Sequence, residues 1–236
     1  MSIKLMSTRE AARLHGLKIL VSGLAGAGKT RLCATTGGNP IIISAEAGLL
    51  SLREYDIPAI QVSSIDDVRE AYEYLHSGDG QHHDWVCLDS ISEIAEVVLA
   101  NEKIKTKDPR KAYGELADQM ADLIRAFRDL PERNVYMTCK LERTKDDVTG
   151  SVLYGPSLPG QRLAQQIAYW FDESFVLRVE RDAEGNPSRW LQTSSDMQYT
   201  AKDRSGALDQ FEEPSLAAIA AKIHGAVTRP QLKPAA

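Results

Sequence analysis

Eight consecutive residues, Gly23-Leu24-Ala25-Gly26-Ala27-Gly28-Lys29-Thr30, follow the order G-x-x-x-x-G-K-[ST]. Each residue type has a job in holding a polyphosphate. Glycine tolerates the left-handed backbone that lets a loop curl, so that successive N–H groups face inward on an anion. A helix beginning at the end of such a loop adds the positive end of its dipole. Lys29 would reach the β- and γ-phosphates, the Thr30 hydroxyl would ligate Mg²⁺, and the cradle would run on into Arg31. ATP with Mg²⁺ is therefore the expected ligand.

Phosphoryl chemistry also needs acids. The run Trp85-Val86-Cys87-Leu88 ends in Asp89, an apolar strand delivering a carboxylate to the magnesium side. Many phosphate-loop motors place the water-polarising Glu directly after that Asp, but here residue 90 is Ser. The alternative is Glu46, just past the apolar run Ile41-Ile42-Ile43-Ser44, with Glu93 as a fallback one turn into the next helix.

Around these residues the chain resembles the RecA-like recombination ATPases. Ser44-Ala45-Glu46-Ala47-Gly48 is similar to their catalytic-Glu segment, and Leu88-Asp89-Ser90 to their second acidic motif. The resemblance implies a polar γ-phosphate sensor at the end of the strand preceding a DNA-binding loop. Thr138 is the first choice and Lys140 the second, although the family usually carries an amide there. Thr200-Ala201-Lys202-Asp203-Arg204-Ser205-Gly206 resembles the K-x-R finger of RadA-like and ring-helicase ATPases. In those proteins the two cations reach the phosphate held by a neighbouring subunit. Spacing i, i+2 on an extended strand puts Lys202 and Arg204 on one side.

The elements that must position these groups alternate. Apolar runs at 17–22, 41–44, 84–89 and 135–139 read as buried strands. Helical periodicity covers 29–36, 66–76, 91–103 and 112–129. That alternation predicts an α/β fold, a RecA-like phosphate-loop core with a mostly parallel sheet flanked by helices. Beyond Phe171 the pattern changes. Residues 173–181 and 189–193 flank Glu184-Gly185-Asn186-Pro187, which predicts a C-terminal antiparallel hairpin. A short helix at 214–224 follows. Residues 1–225 read as one ATPase domain and 226–236 as a disordered tail.

Two segments combine cations with mobility signals. Residues 101–111 hold Lys103, Lys105, Lys107, Arg110 and Lys111; residues 140–162 hold Lys140, Arg143, Lys145, Tyr154 and Arg162 among glycines. The RecA-like resemblance implies that both contact single-stranded DNA, the cations at phosphates and Tyr154 at a base. The net charge of −5 argues against DNA binding over the whole surface, but not against a local stripe.

The compact core looks like the short phage single-strand annealing ATPases. That likeness implies a filament or ring with shared ATP sites, and a phage or host single-strand-binding protein as a further partner. Two other readings stay open: a nucleotide-gated helicase loader and a phosphate-loop small-molecule kinase. GTP is disfavoured. Thr144-Lys145-Asp146-Asp147 has the guanine-reading order, but the partner motif from Asp89 would need Gly where Ser92 stands. The three cysteines lack metal-ligand spacing, and no apolar stretch is long enough to cross a membrane. Nor does the N-terminus have the apolar core of a secretory signal, so a cytoplasmic location is expected, that of the host if the chain is phage-encoded.

Overall fold

The computed structural model describes residues 5–46, 48–145 and 150–225. In chain order its elements are α1 (Thr8–His15), β1 (Lys18–Gly23), β2 (Pro40–Ser44), β3 (Ala59–Gln61), α2 (Ile65–His76), β4 (Trp85–Asp89), α3 (Ile91–Lys105) and α4 (Pro109–Arg128). They continue with β5 (Asn134–Lys145), β6 (Val152–Ser157), α5 (Gln161–Gln166), β7 (Glu173–Arg181), β8 (Pro187–Gln192), β9 (Lys202–Asp203), β10 (Phe211–Glu212) and α6 (Leu216–Gly225). One sheet runs β10-β8-β7-β1-β5-β4-β2-β3, with β6 joined to β5 and β9 to β7. Its centre is parallel: β7, β1, β5, β4, β2 and β3 all point the same way. The added strands β6, β8, β9 and β10 are antiparallel to their partners.

The central strands are apolar on both faces because both faces are covered. Leu20, Ile41, Ile43, Val86, Leu88, Val135 and Met137 pack with α2, α3 and α4. The alternate residues Ile19, Val21, Ile42, Cys87 and Tyr136 pack with Leu32, Cys33, Leu216 and Ile219 on the other side. Each such aliphatic side chain, fully buried, contributes about 1.5–3 kcal/mol. The cysteines are free thiols in this core.

Three expectations change. The helix after the phosphate loop is a 3₁₀ segment, Thr30–Thr35, rather than an α-helix. The basic segment 101–111 is mostly helical, broken only at residues 106–108. Lys103 and Lys105 lie in the last turn of α3, Arg110 and Lys111 in the first turn of α4, and Lys107 in the connector. Asp108 is the reason: its carboxylate accepts from the Arg110 N–H at 2.9 Å and Pro109 occupies the first helical position, a strong helix start. The segment 140–162 is likewise largely a β-ribbon, since β5 runs on to Lys145 and β6 pairs back from Lys140↔Ser157 to Lys145↔Val152. Helix α1 and strands β3, β9 and β10 are additions that sequence periodicity did not signal. The tail, residues 226–236, falls outside the described residues, as do Asp146 and Asp147 of the guanine-reading decoy.

A buried acid marks the β7–β9 seam. Glu173 is 1% exposed, the Ser205 N–H donates to its Oε1 at 3.3 Å, and no donor meets its Oε2. Burial, then the neighbouring Asp203 carboxylate, pushes the Glu173 acid up to about 8. A folded pKa raised above the unfolded 4.5 gives stability that is complete below pH 4.5 and lost as pH climbs through 8. Glu173→Gln, neutral at every pH, should therefore match wild type near pH 4 and exceed it above pH 8 by on the order of a few kcal/mol. Denaturant midpoints across pH 4–9 measure this, and parallel curves for the two proteins would refute it.

Candidate nucleotide site

The ends of β1, β2, β4 and β5 bring the expected residues together. Gly23 closes β1, and the loop beyond it uses positive φ at Gly26 (74°) and Gly28 (110°), conformations that L side chains rarely adopt. The Lys29 ammonium donates to the carbonyls of Gly23 at 2.8 Å and Leu24 at 3.1 Å, which holds it at the loop mouth. Burial lowers its pKa from the usual lysine range, while the Asp89 and Glu46 carboxylates nearby pull the other way.

Asp89 is 2% exposed and accepts two hydroxyl bonds, from Thr30 at 2.6 Å and from Thr138 at 2.5 Å. A hydroxyl beside a carboxylate is a hard-oxygen donor set suited to Mg²⁺, which takes few protein ligands and completes its shell from water and phosphate. Thr30 and Asp89 would hold the ion, directly or through water, and it would neutralise charge on the phosphate oxygens.

Glu46 stands two residues past the Ser44↔Asp89 register pair. The Ser90 hydroxyl donates to its Oε1 at 2.6 Å, the Ser44 hydroxyl to its carbonyl at 2.6 Å, and the Ala45 N–H to the Asp89 carbonyl at 2.9 Å. Strand β2 therefore presents Glu46 beside the Asp89 strand end. Ser90 also caps α3 by accepting from the Glu93 N–H. Glu93 itself faces Lys140, whose ammonium lies 3.2 Å from its Oε2.

Other expected residues take different places. Thr138 is fully buried and spends its hydroxyl on Asp89, so it orients that acid rather than facing a phosphate directly; Lys140 is the exposed group at that strand end. Lys202 and Arg204 are not near their own phosphate loop. Lys202 pairs with Ser174, three residues before Leu177, the partner of Gly23, so it sits roughly 10 Å back along the strand. Its ammonium bonds the carbonyls of Ala168 at 2.6 Å and Phe171 at 2.5 Å, and Arg204 pairs with Asp172 at 2.7 Å. Lys202 thereby ties down the turn before β7, while the Arg204 side chain stays exposed.

Among the DNA candidates, Lys105 is paired with Glu102 at 2.7 Å, Lys103 lies 5.7 Å over the Tyr113 ring, and Arg162 is 3.9 Å from Asp118. Tyr154 stacks on Tyr199 with centroids 4.9 Å apart, and Arg178 lies over the Tyr199 ring at 4.1 Å. One face of Tyr154 is thus occupied within the chain. Lys107, Arg110, Lys111, Arg143 and Lys145 are exposed. Tyr113 of α4 lies between the two basic segments: Lys103 sits over its ring, and a Cβ on Gly160 would stand 3.4 Å from it.

Two residues at the loop carry no sequence signal. The Tyr136 hydroxyl donates to the Lys29 carbonyl at 2.9 Å, and Arg189 of β8 donates through Nε to the Ala27 carbonyl at 2.9 Å. Each is brought to the loop only by strand order.

A parallel sheet whose strand ends carry a glycine loop, a lysine, a hydroxyl and a buried Asp defines a phosphate-loop nucleotide-binding protein. The chain belongs to the AAA domain family, whose family model matches residues 15–205 and which points to ATPase activity. No curated protein matches the chain in sequence. Among the described residues no helix is long and apolar enough to cross a membrane.

Proposed function

We propose that this chain is an ATP-dependent single-stranded DNA-binding recombination protein, which anneals or pairs strands. One ATPase domain, residues 1–225, assembles as a filament or ring with ATP sites at subunit interfaces, in the cytoplasm. The observation that carries the reading is the acid arrangement. Glu46 arrives from β2 and is oriented by Ser90, the residue that follows the Asp89 strand, as the RecA-like resemblance implies. Lys29 neutralises the phosphates, Thr30 and Asp89 hold Mg²⁺, and Glu46 polarises the attacking water. In an assembly, Arg204 of a neighbouring subunit is the exposed cation of the finger segment, with Lys202 holding its base. The basic residues of α3, α4 and the β5–β6 ribbon bind the DNA phosphates.

Titration of labelled single strands at two salt concentrations, with a non-hydrolysable ATP analogue, tests this. Affinity should be ATP-favoured and fall with salt. Replacing Lys107, Arg110 and Lys111 by Ala should flatten the log–log slope by about 2, at roughly 0.7 for each phosphate no longer neutralised. A wild-type protein that hydrolyses ATP without binding DNA would overturn the reading.

A further inference from the structure

We infer that Arg189 is a positioning residue for nucleotide binding in its own subunit, holding the phosphate loop in its anion-accepting shape from behind. The residue lies 162 positions from the loop in sequence and reaches it because β8 pairs with β7, which pairs with β1. Val179 and Arg189 are register partners two residues above Leu177, the partner of Gly23, so the guanidinium projects over the loop from the exposed end of the ribbon. Its Nε–H bonds the Ala27 carbonyl at 2.9 Å, and a Cβ on Gly28 would stand 3.6 Å from the same nitrogen.

The consequence follows from peptide geometry. In a trans peptide the C=O and the following N–H point in opposite directions. Fixing the Ala27 carbonyl toward Arg189 therefore turns the Gly28 N–H away from it, toward the inside of the loop. Gly28 has φ 110°, so the backbone there has freedom that only an outside contact removes. The Tyr136 hydroxyl holds the Lys29 carbonyl in the same manner, which directs the Thr30 N–H. A bond accepted by a carbonyl also polarises its peptide and strengthens the N–H as a donor. Arg189 adds a positive charge beside the anion site that Tyr136 does not.

This role differs from the finger segment at 202–204. It acts in cis, it concerns binding of the β-phosphate more than the chemical step, and it stands whether or not the protein binds DNA.

Arg189→Ala, Arg189→Gln and Arg189→Lys should be compared using a fluorescent ADP analogue, competition by AMP, and steady-state ATP turnover. The Ala variant should bind the ADP probe about tenfold more weakly, the worth of one charge-assisted hydrogen bond. AMP competition and the nucleotide-free melting temperature should stay as in wild type. KM for ATP should rise by the same factor with kcat nearly unchanged, the pattern of uniform binding lost. Arg189→Lys should restore part of the affinity, and Arg189→Gln, which keeps a donor without the charge, less. Unchanged ADP affinity in the Ala variant would overturn the inference. So would equal losses for ADP and AMP together with a lower melting temperature, or a fall in kcat at constant KM. Should the Ala variant fail to fold, the Lys and Gln variants decide alone: ADP affinities equal to wild type in both would refute it.

Discussion

A Lys29→Ala variant is expected to lose about 10²–10³-fold in ATP turnover, the scale for removing one preorganised group aimed at developing charge. Its ammonium is held at the mouth of the loop by the Gly23 and Leu24 carbonyls, and these bonds are replaceable by phosphate oxygens at similar distance. Burial disfavours its charge, so a nucleotide anion would restore what desolvation costs. Alanine leaves the glycine turns and the Thr30–Asp89 bond in place and frees only the Gly23 and Leu24 carbonyls, which sit at the loop mouth. The loss should thus come without a large change in melting temperature. Turnover by phosphate release, with a melting curve on the same sample, reads both quantities. Activity within a few-fold of wild type would mean that the loop is not the nucleotide site.

What is legible in the sequence, and what is hidden, follows from the range of the interactions. The glycine loop and Asp89 are readable because their chemistry is local: contiguous residues at the end of an apolar run. Glu46 is readable only with the family resemblance, since its partner Ser90 lies beyond another strand. Arg189 and Tyr136 are invisible, because strand order alone carries them to the loop. The basic stretch at 101–111 has the charges of a loop, but Asp108-Pro109 is a helix start that outweighs them. The intrachain partners of Lys202 and Arg204 are hidden in the same way. An ammonium beside the open carbonyls of Ala168 and Phe171 is stabilised by satisfying them, and periodicity contains no sign of those carbonyls.

Glu46→Gln should separate binding from chemistry. Gln is nearly isosteric, and its amide oxygen can still accept the Ser90 hydroxyl that Glu46 accepts at 2.6 Å. The Ser44 hydroxyl bonds the residue 46 backbone, so the strand end should keep its shape. What the substitution removes is the negative charge and the basicity needed to draw a proton from an attacking water. A positioned base contributes 10²–10⁴ in rate, so kcat should fall by at least about a hundredfold. ATP affinity should hold or rise slightly, because a carboxylate near the phosphates is repulsive before the reaction. Ser90→Ala should cost much less, since it loosens the carboxylate without removing it. Glu93 is the control: its side chain is paired with Lys140, and Glu93→Gln should leave turnover within a few-fold. Single-turnover rates and equilibrium binding of ATP on the three variants decide the matter. If Glu93→Gln carries the large loss and Glu46→Gln does not, the water is polarised from α3, and the RecA-like assignment of the β2 acid is wrong.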